Sequence, residues 1–290
     1  MGTFPEDWLH GSRRTSLLVP LSWVYRGVVA VRRLLYRIGV LKQTRLPVPV
    51  IVIGNIFVGG TGKTPLVLWA TRYLAGLGRR PGIVTRGYGG DGGQQEPIEV
   101  AADSDPYQVG DEPVMLAQRA GCPVVACRDR VAAARYLLEH HACDVVVSDD
   151  GLQHYRLARD LEIVVIDAGR GLGNGHCLPA GPLREPRSRL RSADLVIANG
   201  GPHRLAGAYF TLRIESARRL AGPEEEVDLA GFSGRQVHAI SGIGNPRRFF
   251  DALGRYGIDL IMHPFPDHHP FVASDICFSD DLPVFMTEKD

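Results

Sequence analysis

Between residues 46 and 202 the chain alternates two hydrophobic rhythms. Short runs rich in Val and Ile fall at 50–53, 82–85, 124–126, 145–147, 162–166 and 195–198. Most are apolar at every position, as strands are when a parallel sheet is covered on both faces. Between them, apolar residues spaced three and four apart predict helices over 63–77, 112–120 and 129–140. Strands alternating with helices predict a doubly wound, mostly parallel α/β sheet with its ligands at the carboxyl ends of the strands.

A different pattern precedes this. In 17–41 apolar residues recur at Leu17, Leu21, Val24, Val28, Val31, Leu35 and Ile38. Arg26, Arg33 and Arg37 share another face, and Trp23, Tyr25 and Tyr36 are interspersed. This is an amphipathic helix with a basic face. Two readings follow. The stripe packs on the protein's own core, or it lies in a membrane interface with the arginines on anionic lipid heads.

After residue 202 the rhythm loosens. Residues 209–214 alternate like an antiparallel strand, and Glu224–Glu226 is a solvated acidic run. The α/β pattern restarts with strands expected at 237–240, 259–262 and 283–286, and a helix carrying Phe249, Phe250 and Leu253. The predicted organisation is an N-terminal amphipathic helix (1–45), an α/β domain (46–202), a β linker (203–230) and a smaller α/β domain (231–290). The last residues, Glu288-Lys289-Asp290, directly follow a strand, which implies a domain that continues.

Composition adds little to the class and something to the placement. The 290 residues are 44% hydrophobic and 22% charged, as in a globular protein, with a net charge of +1. Residues 1–45 alone carry a charge of +6. Outside them no basic stripe with stacking aromatics supports a nucleic-acid partner. Five scattered cysteines without a C-x-x-C pair argue against a zinc site or a disulfide framework and fit a reducing cytoplasm. No run of 18 or more apolar residues offers a spanning helix, and Glu6 and Asp7 near the start are unlike a signal peptide.

The strongest chemical signal joins the first strand to its helix: Gly59-Gly60-Thr61-Gly62-Lys63-Thr64, then Pro65. A glycine-rich turn between strand and helix aims backbone N–H groups at an anion, and the helix start adds positive potential. Lys63 can reach outer phosphates, and the Thr64 hydroxyl can ligate Mg²⁺. Phe57 stands where the usual phosphate-loop pattern has glycine.

Four further stretches carry chemistry. Asp149-Asp150-Gly151-Leu152-Gln153-His154 ends an apolar strand, as the metal-side carboxylate of a nucleotide site does; the plainer alternative is an Asp-Gly turn. Gly110-Asp111-Glu112-Pro113 places Asp111 at a loop-to-helix junction, either as a cap or as the base for an attacking hydroxyl. Asp267-His268-His269 sets a carboxylate beside imidazoles, either to tune a base or simply within a proline-fixed turn. Pro182-Leu183-Arg184-Glu185-Pro186 offers Arg184 to a phosphate, unless Arg184 and Glu185 form only a surface pair. The loop Thr85-Arg86-Gly87-Tyr88-Gly89-Gly90 ends another strand and either covers substrate or turns the chain.

Together these stretches resemble the tetraacyldisaccharide 4′-kinases of lipid A biosynthesis, in that family's order and over nearly the whole chain. DDGLQH and LPAGPLREP are the most specific, with VGDEPVMLA, TRGYGG, SGIGNP and FPDHH alongside. The resemblance implies a two-domain α/β kinase that uses ATP and Mg²⁺. Its acceptor is the 4′-hydroxyl of a tetraacylated glucosamine disaccharide 1-phosphate, at the cytoplasmic face of the bacterial inner membrane. It implies a membrane-associated N-terminal helix over residues 17–41. By the same resemblance Gly59, Gly60, Thr61, Gly62, Lys63 and Thr64 hold the nucleotide. Asp111 is the catalytic Asp, taking the hydroxyl's proton, with His268 as its partner, His269 being the alternative. Asp149 and Asp150 serve the metal, His154 supports them, and Arg184 and Glu185 are active-site positions. A rival class is a phosphate-loop switch ATPase acting on a protein partner. Many of those carry a Lys before the two glycines, where this chain has Val58.

Overall fold

The computed structural model describes residues 6–87, 95–214, 216–220, 226–267 and 269–290. It divides into a larger unit ending at Thr211 and a smaller one from Leu212 to Asp290.

The larger unit opens with three helices: α1 (Glu6–His10), α2 (Arg13–Leu17) and α3 (Val19–Arg37). Then come β1 (Val50–Gly54), α4 (Lys63–Gly76), β2 (Pro81–Thr85), β3 (Ile98–Glu99), α5 (Pro106–Val109), α6 (Asp111–Ala120), β4 (Val124–Ala126) and α7 (Arg130–His140). The unit closes with β5 (Val145–Asp149), β6 (Leu161–Asp167), a 3-10 turn at Arg187–Ser192, β7 (Leu195–Asn199) and β8 (Ala208–Phe210). These strands form one sheet in the order β3-β4-β2-β5-β1-β6-β7-β8. Every pairing is parallel except β3 with β4.

The period of two along β1 shows why the sheet is covered on both faces. Val50 and Val52 pack with Val131, Ala134 and Leu137 of α7, whereas Ile53 packs with Leu66, Val67 and Ala70 of α4. From β1 the chain moves outward to β2 and β4, then returns to insert β5 between β2 and β1 before continuing to β6. That reversal opens a crevice at the carboxyl ends of β1 and β5.

The strand expected at 209–214 is corrected. Residues 208–210 join the main sheet beside β7, and they run parallel to it, with Ile197 opposite Ala208 and Asn199 opposite Phe210. Alternation marks a half-covered strand but not its direction. An edge strand alternates whichever way it runs, because only one face is packed; here Phe210 alone turns to the core.

The packing of α3 bears on the reading that its stripe packs on the protein's own core. Ser22 is buried and donates to the Cys177 carbonyl at 2.8 Å. Tyr25 donates to the Arg184 carbonyl at 2.9 Å, and Arg33 donates to Ser192 Oγ at 3.1 Å. The polar and aromatic side therefore faces the protein. Leu17, Leu21, Val24, Val28, Val31 and Ile38 are all exposed. The stripe does not pack on the larger unit, and Arg33 is half-buried against it instead of facing outward with Arg26 and Arg37. Among the described residues no helix is long and apolar enough to cross a membrane.

The smaller unit contains β9 (Ala217–Arg218) paired antiparallel with β10 (Glu226–Val227), then a 3-10 turn at Leu229–Phe232. Next come β11 (Gln236–Ser241), α8 (Pro246–Gly254), β12 (Asp259–Pro264), α9 (Ala273–Ile276) and β13 (Val284–Met286). A parallel sheet in the order β12-β11-β13 buries Val237 and Ala239 against Phe250 and Leu253 of α8.

Candidate active site

The phosphate loop leaves β1 at Gly54 and ends where Gly62 starts α4. Gly59 and Gly62 have φ of 93° and 81°, a region closed in practice to residues with a Cβ. Three side chains hold the loop's shape. Asn55 Nδ2 donates to the Gly59 carbonyl at 3.1 Å and to Thr61 Oγ1 at 3.0 Å. Asn199 Nδ2, at the end of β7, donates to the Thr61 carbonyl at 3.0 Å. Arg170 donates to the Gly60 carbonyl and is itself paired with Asp167 at 3.3 Å. With these carbonyls engaged, the loop is braced from behind.

Phe57 has a clear role. It is buried with Ile56, Leu152 and Leu183, and the Arg170 guanidinium sits 5.1 Å from its ring centroid. Backbone bonds flank it, Val58 N–H to the Pro182 carbonyl at 2.8 Å and Arg184 N–H to the Ile56 carbonyl at 2.7 Å. The departure from the glycine pattern thus anchors the loop to the PLREP stretch.

Asp149 and Asp150 end the neighbouring strand. Asp149 is opposite Ile53 in the β1–β5 ladder, so it stands beside the strand from which the loop springs. It is fully buried, and among the described residues its Oδ1 has no hydrogen-bond donor. Burial first, and then the charge of Glu112, push its carboxyl well above the usual range. Asp150 adopts φ of +47°, as Asp tolerates in a tight turn. Its Oδ1 is 3.5 Å from Lys63 Nζ, and its Oδ2 accepts from Arg184 at 3.2 Å. Burial would raise this carboxyl, but Lys63 and Arg184 hold it down at about 2. Behind the pair, buried Arg130 donates to the Cys127 and Asp149 carbonyls, and desolvation lowers it to about 10.

His154 and Glu185 pack into this same corner. Burial, then the nearby Arg130, lower His154 to about 4, so its 3.5 Å approach to Asp129 is made by a neutral ring at neutral pH. Glu185 is buried rather than surface-paired with Arg184. It accepts from Tyr155 at 2.5 Å and from Gln153 at 3.3 Å, and pairs with Arg189 at 3.1 Å. Its carboxylate clamps the PLREP stretch to the DDGLQH stretch.

Asp111 begins α6, after Gly110 with φ of 95°. Because α6 feeds directly into the amino end of β4, its own start lies at the carboxyl edge, the edge of the phosphate loop. One carboxylate oxygen accepts the Glu112 N–H at 2.8 Å. The FPDHH stretch belongs to the smaller unit. There Asp267 pairs with Lys289 at 3.1 Å, and His269 approaches Asp275 at 3.0 Å. His268 lies outside the described residues, as do Tyr88, Gly89 and Gly90.

Sequence reasoning passed over Asn55, Asn199, Arg170 and Arg130. A signal existed for the first two: each is a polar side chain at the end of an apolar strand, as Asp149 is. Nothing marked Arg130, a charged residue opening an ordinary amphipathic helix.

Residues 14–290 match the family model described as tetraacyldisaccharide-1-P 4′-kinase. The tetraacyldisaccharide 4′-kinase of Alkalilimnicola ehrlichii is 56% identical, across 99% of this chain and 84% of that protein. The one from Azoarcus sp. is 50% identical, across 100% and 86%. Among solved structures, the "apo" form of LpxK from Aquifex aeolicus in complex with ATP aligns with a TM-score of 0.75 at 32% identity, covering 95% of this chain and 89% of that one.

Proposed function

This chain belongs to the tetraacyldisaccharide 4′-kinase family, and we propose that it phosphorylates the 4′-hydroxyl of a tetraacylated disaccharide 1-phosphate with ATP, in lipid A biosynthesis. The observation that carries this reading is the Lys63–Asp150–Arg184 cluster, where two cations meet beside a braced phosphate loop.

The loop amides and Lys63 bind the outer phosphates, and Arg184 adds a second cation. Mg²⁺ fits here. Asp149 Oδ1 is a buried carboxylate oxygen without a donor, next to the loop that carries Thr64. Among the described residues no three His, Cys, Asp or Glu form a metal cluster. A Mg²⁺ held together with phosphates needs only one or two protein oxygens, which Thr64 and Asp149 would supply, with Asp150 alongside. When bound, the ion neutralises charge on the phosphates. Asp111 accepts the proton of the attacking hydroxyl. His154 and Glu185 hold the DDGLQH corner.

The exposed stripe of α3 supports membrane-surface attachment. Its apolar side is open while its polar side is fixed to the larger unit, so the helix presents the kinase to an acylated substrate at the cytoplasmic face of the inner membrane.

The test is incubation of the full chain with labelled ATP, Mg²⁺ and the tetraacyldisaccharide 1-phosphate in detergent. A 1,4′-bisphosphate product is expected, abolished in Asp111→Ala while ATP binding persists. ATP hydrolysis indifferent to the glycolipid, with no bisphosphate, overturns the reading.

A further inference from the structure

The α3 helix also walls a groove remote from the phosphate loop. This groove, of about 680 Å³, lies between the C-terminal half of α3 and the segments leading into β6 and β7. Glu162, near the start of β6, and Asp194, just before β7, are part of its lining. It therefore sits at the amino edge of the parallel sheet, opposite the phosphate loop.

The floor of the groove is rich in charge, and its two arginines are already paired. Arg159 donates to Glu162 at 3.0 Å and to the Leu152 carbonyl at 3.0 Å. Arg189 bonds Glu162 and pairs with Glu185 at 3.1 Å. Asp194 accepts the Glu162 N–H at 2.8 Å. The wall differs. Arg33 spends one N–H on neutral Ser192 and stands 4.0 Å from Glu185. Arg37, one helical turn on, makes no hydrogen bond or ion pair among the described residues. Across the groove, Arg45 reaches Asp160 at 3.0 Å, but both side chains are well exposed, where such a pair holds weakly. Asp194 keeps its negative charge, but with Arg33, Arg37 and Arg45 around it the lining stays net cationic, and the groove has room and charge for an anion.

The rim points to which anion. Arg37 lies on the flank of α3 between its protein-facing side, which holds Arg33, and its exposed apolar stripe. Leu34 lines the groove and is 53% exposed, and Val31 and Ile38 continue the apolar surface beyond it. A ligand there meets guanidinium groups at one end and bare aliphatic surface at the other.

We propose that this groove binds the phosphate of an anionic glycerophospholipid headgroup, through Arg33 and Arg37, with acyl chains lying over Leu34 and Ile38. The proposal rests on the reading that α3 lies at a membrane surface, and adds a specific lipid site to it. Planar guanidinium forks suit a phosphodiester in a way a diffuse positive field does not.

The experiment is sedimentation of the full chain with vesicles of phosphatidylcholine alone and of phosphatidylcholine doped with phosphatidylglycerol. A single basic residue near an anionic surface contributes about fivefold in partitioning without any site. Arg26→Ala, on the same flank outside the groove, measures that background. Arg37→Ala is expected to lose about tenfold or more on the doped vesicles, since charge-assisted hydrogen bonds go as well. Arg37→Lys keeps the charge and is expected to lose several-fold too, with binding to phosphatidylcholine unchanged. Equal losses for Arg26→Ala and Arg37→Ala, with Arg37→Lys like wild type, overturn the site in favour of diffuse attraction. Calorimetry with inorganic phosphate tests the source. Arg37-dependent phosphate binding without Arg37-dependent vesicle binding assigns the groove to a free anion and overturns the lipid. Wild-type protein that binds neither vesicle removes the membrane reading, and the proposal with it.

Discussion

Lys63 Nζ lies 3.5 Å from Asp150 Oδ1, so the lysine of the phosphate loop is neutralised by the residue that immediately follows β5. Arg184 takes the other carboxylate oxygen at 3.2 Å. One acid thus holds both cations that the proposed chemistry directs at phosphates. Its carboxylate offsets the repulsion between the two cations.

Asp150→Asn separates these effects. Without divalent metal, the freed cations are expected to bind ATP about threefold to tenfold more tightly, the scale of a partly buried ion pair. With Mg²⁺, phosphate transfer is expected to fall by about tenfold or more as the metal-side carboxylate is lost. Equilibrium binding of a fluorescent ATP analogue in EDTA, beside steady-state rates, reads both. No change in either measurement would detach Asp150 from the site.

Glu185→Ala is expected to destabilise the fold by about 3 kcal/mol, because it strands buried Arg189 without one of its acids. Urea unfolding measures it. Arg189→Ala in the same background should add much less than it costs alone, as two members of one network do. Simple additivity would mean that the pair is not a clamp.

Gly54→Ala tests how tightly the loop's origin abuts the DDGLQH turn. A Cβ there would sit 2.6 Å from Leu152 Cβ and 3.1 Å from the Leu152 backbone nitrogen, and Leu152 is fully buried. Overpacking of this kind costs about 2 kcal/mol, and β1 must shift to accommodate it. Both a lower urea midpoint and weaker ATP binding are expected. A variant as stable as wild type would show slack in this contact.

His154 governs part of the acid response. Its folded value of about 4 lies below the ordinary 6.5, so between those values the unfolded chain binds more protons. Its stabilisation is therefore complete above about pH 6.5 and declines as pH falls toward 4, by roughly 3 kcal/mol at most. His154→Gln is expected to flatten the pH dependence of the urea midpoint between neutrality and pH 5. An unchanged slope would assign that sensitivity to other groups.

Particular residues show how far sequence carries. The strand runs, the phosphate loop and Asp149 were legible because each rests on local chemistry: an all-apolar run, glycines at a turn, an acid at a strand's end. The burial of Glu185 was not legible, because PLREP reads as a polar surface loop. Only Tyr155, Gln153 and Arg189, brought in from other segments, make its carboxylate a buried clamp. Arg130 left no trace, since an arginine at a helix start is normally solvated.

The amphipathic helix marks the division most clearly. Periodicity alone determined that residues 17–41 form a helix with one apolar side, since side chains three and four apart must share a face. It did not determine which side meets the protein. That was decided by Ser22, Tyr25 and Arg33 finding hydrogen-bond partners at Cys177, Arg184 and Ser192, more than 150 residues along the chain. Likewise the sequence alone supplied the loop, the acids and the strands that carry them. Their meeting at one crevice came from the sheet order, in which a strand formed late inserts beside the first. Local rules set each element's shape and chemistry. Pairing between distant strands sets which chemistry is adjacent, and no local pattern encodes that.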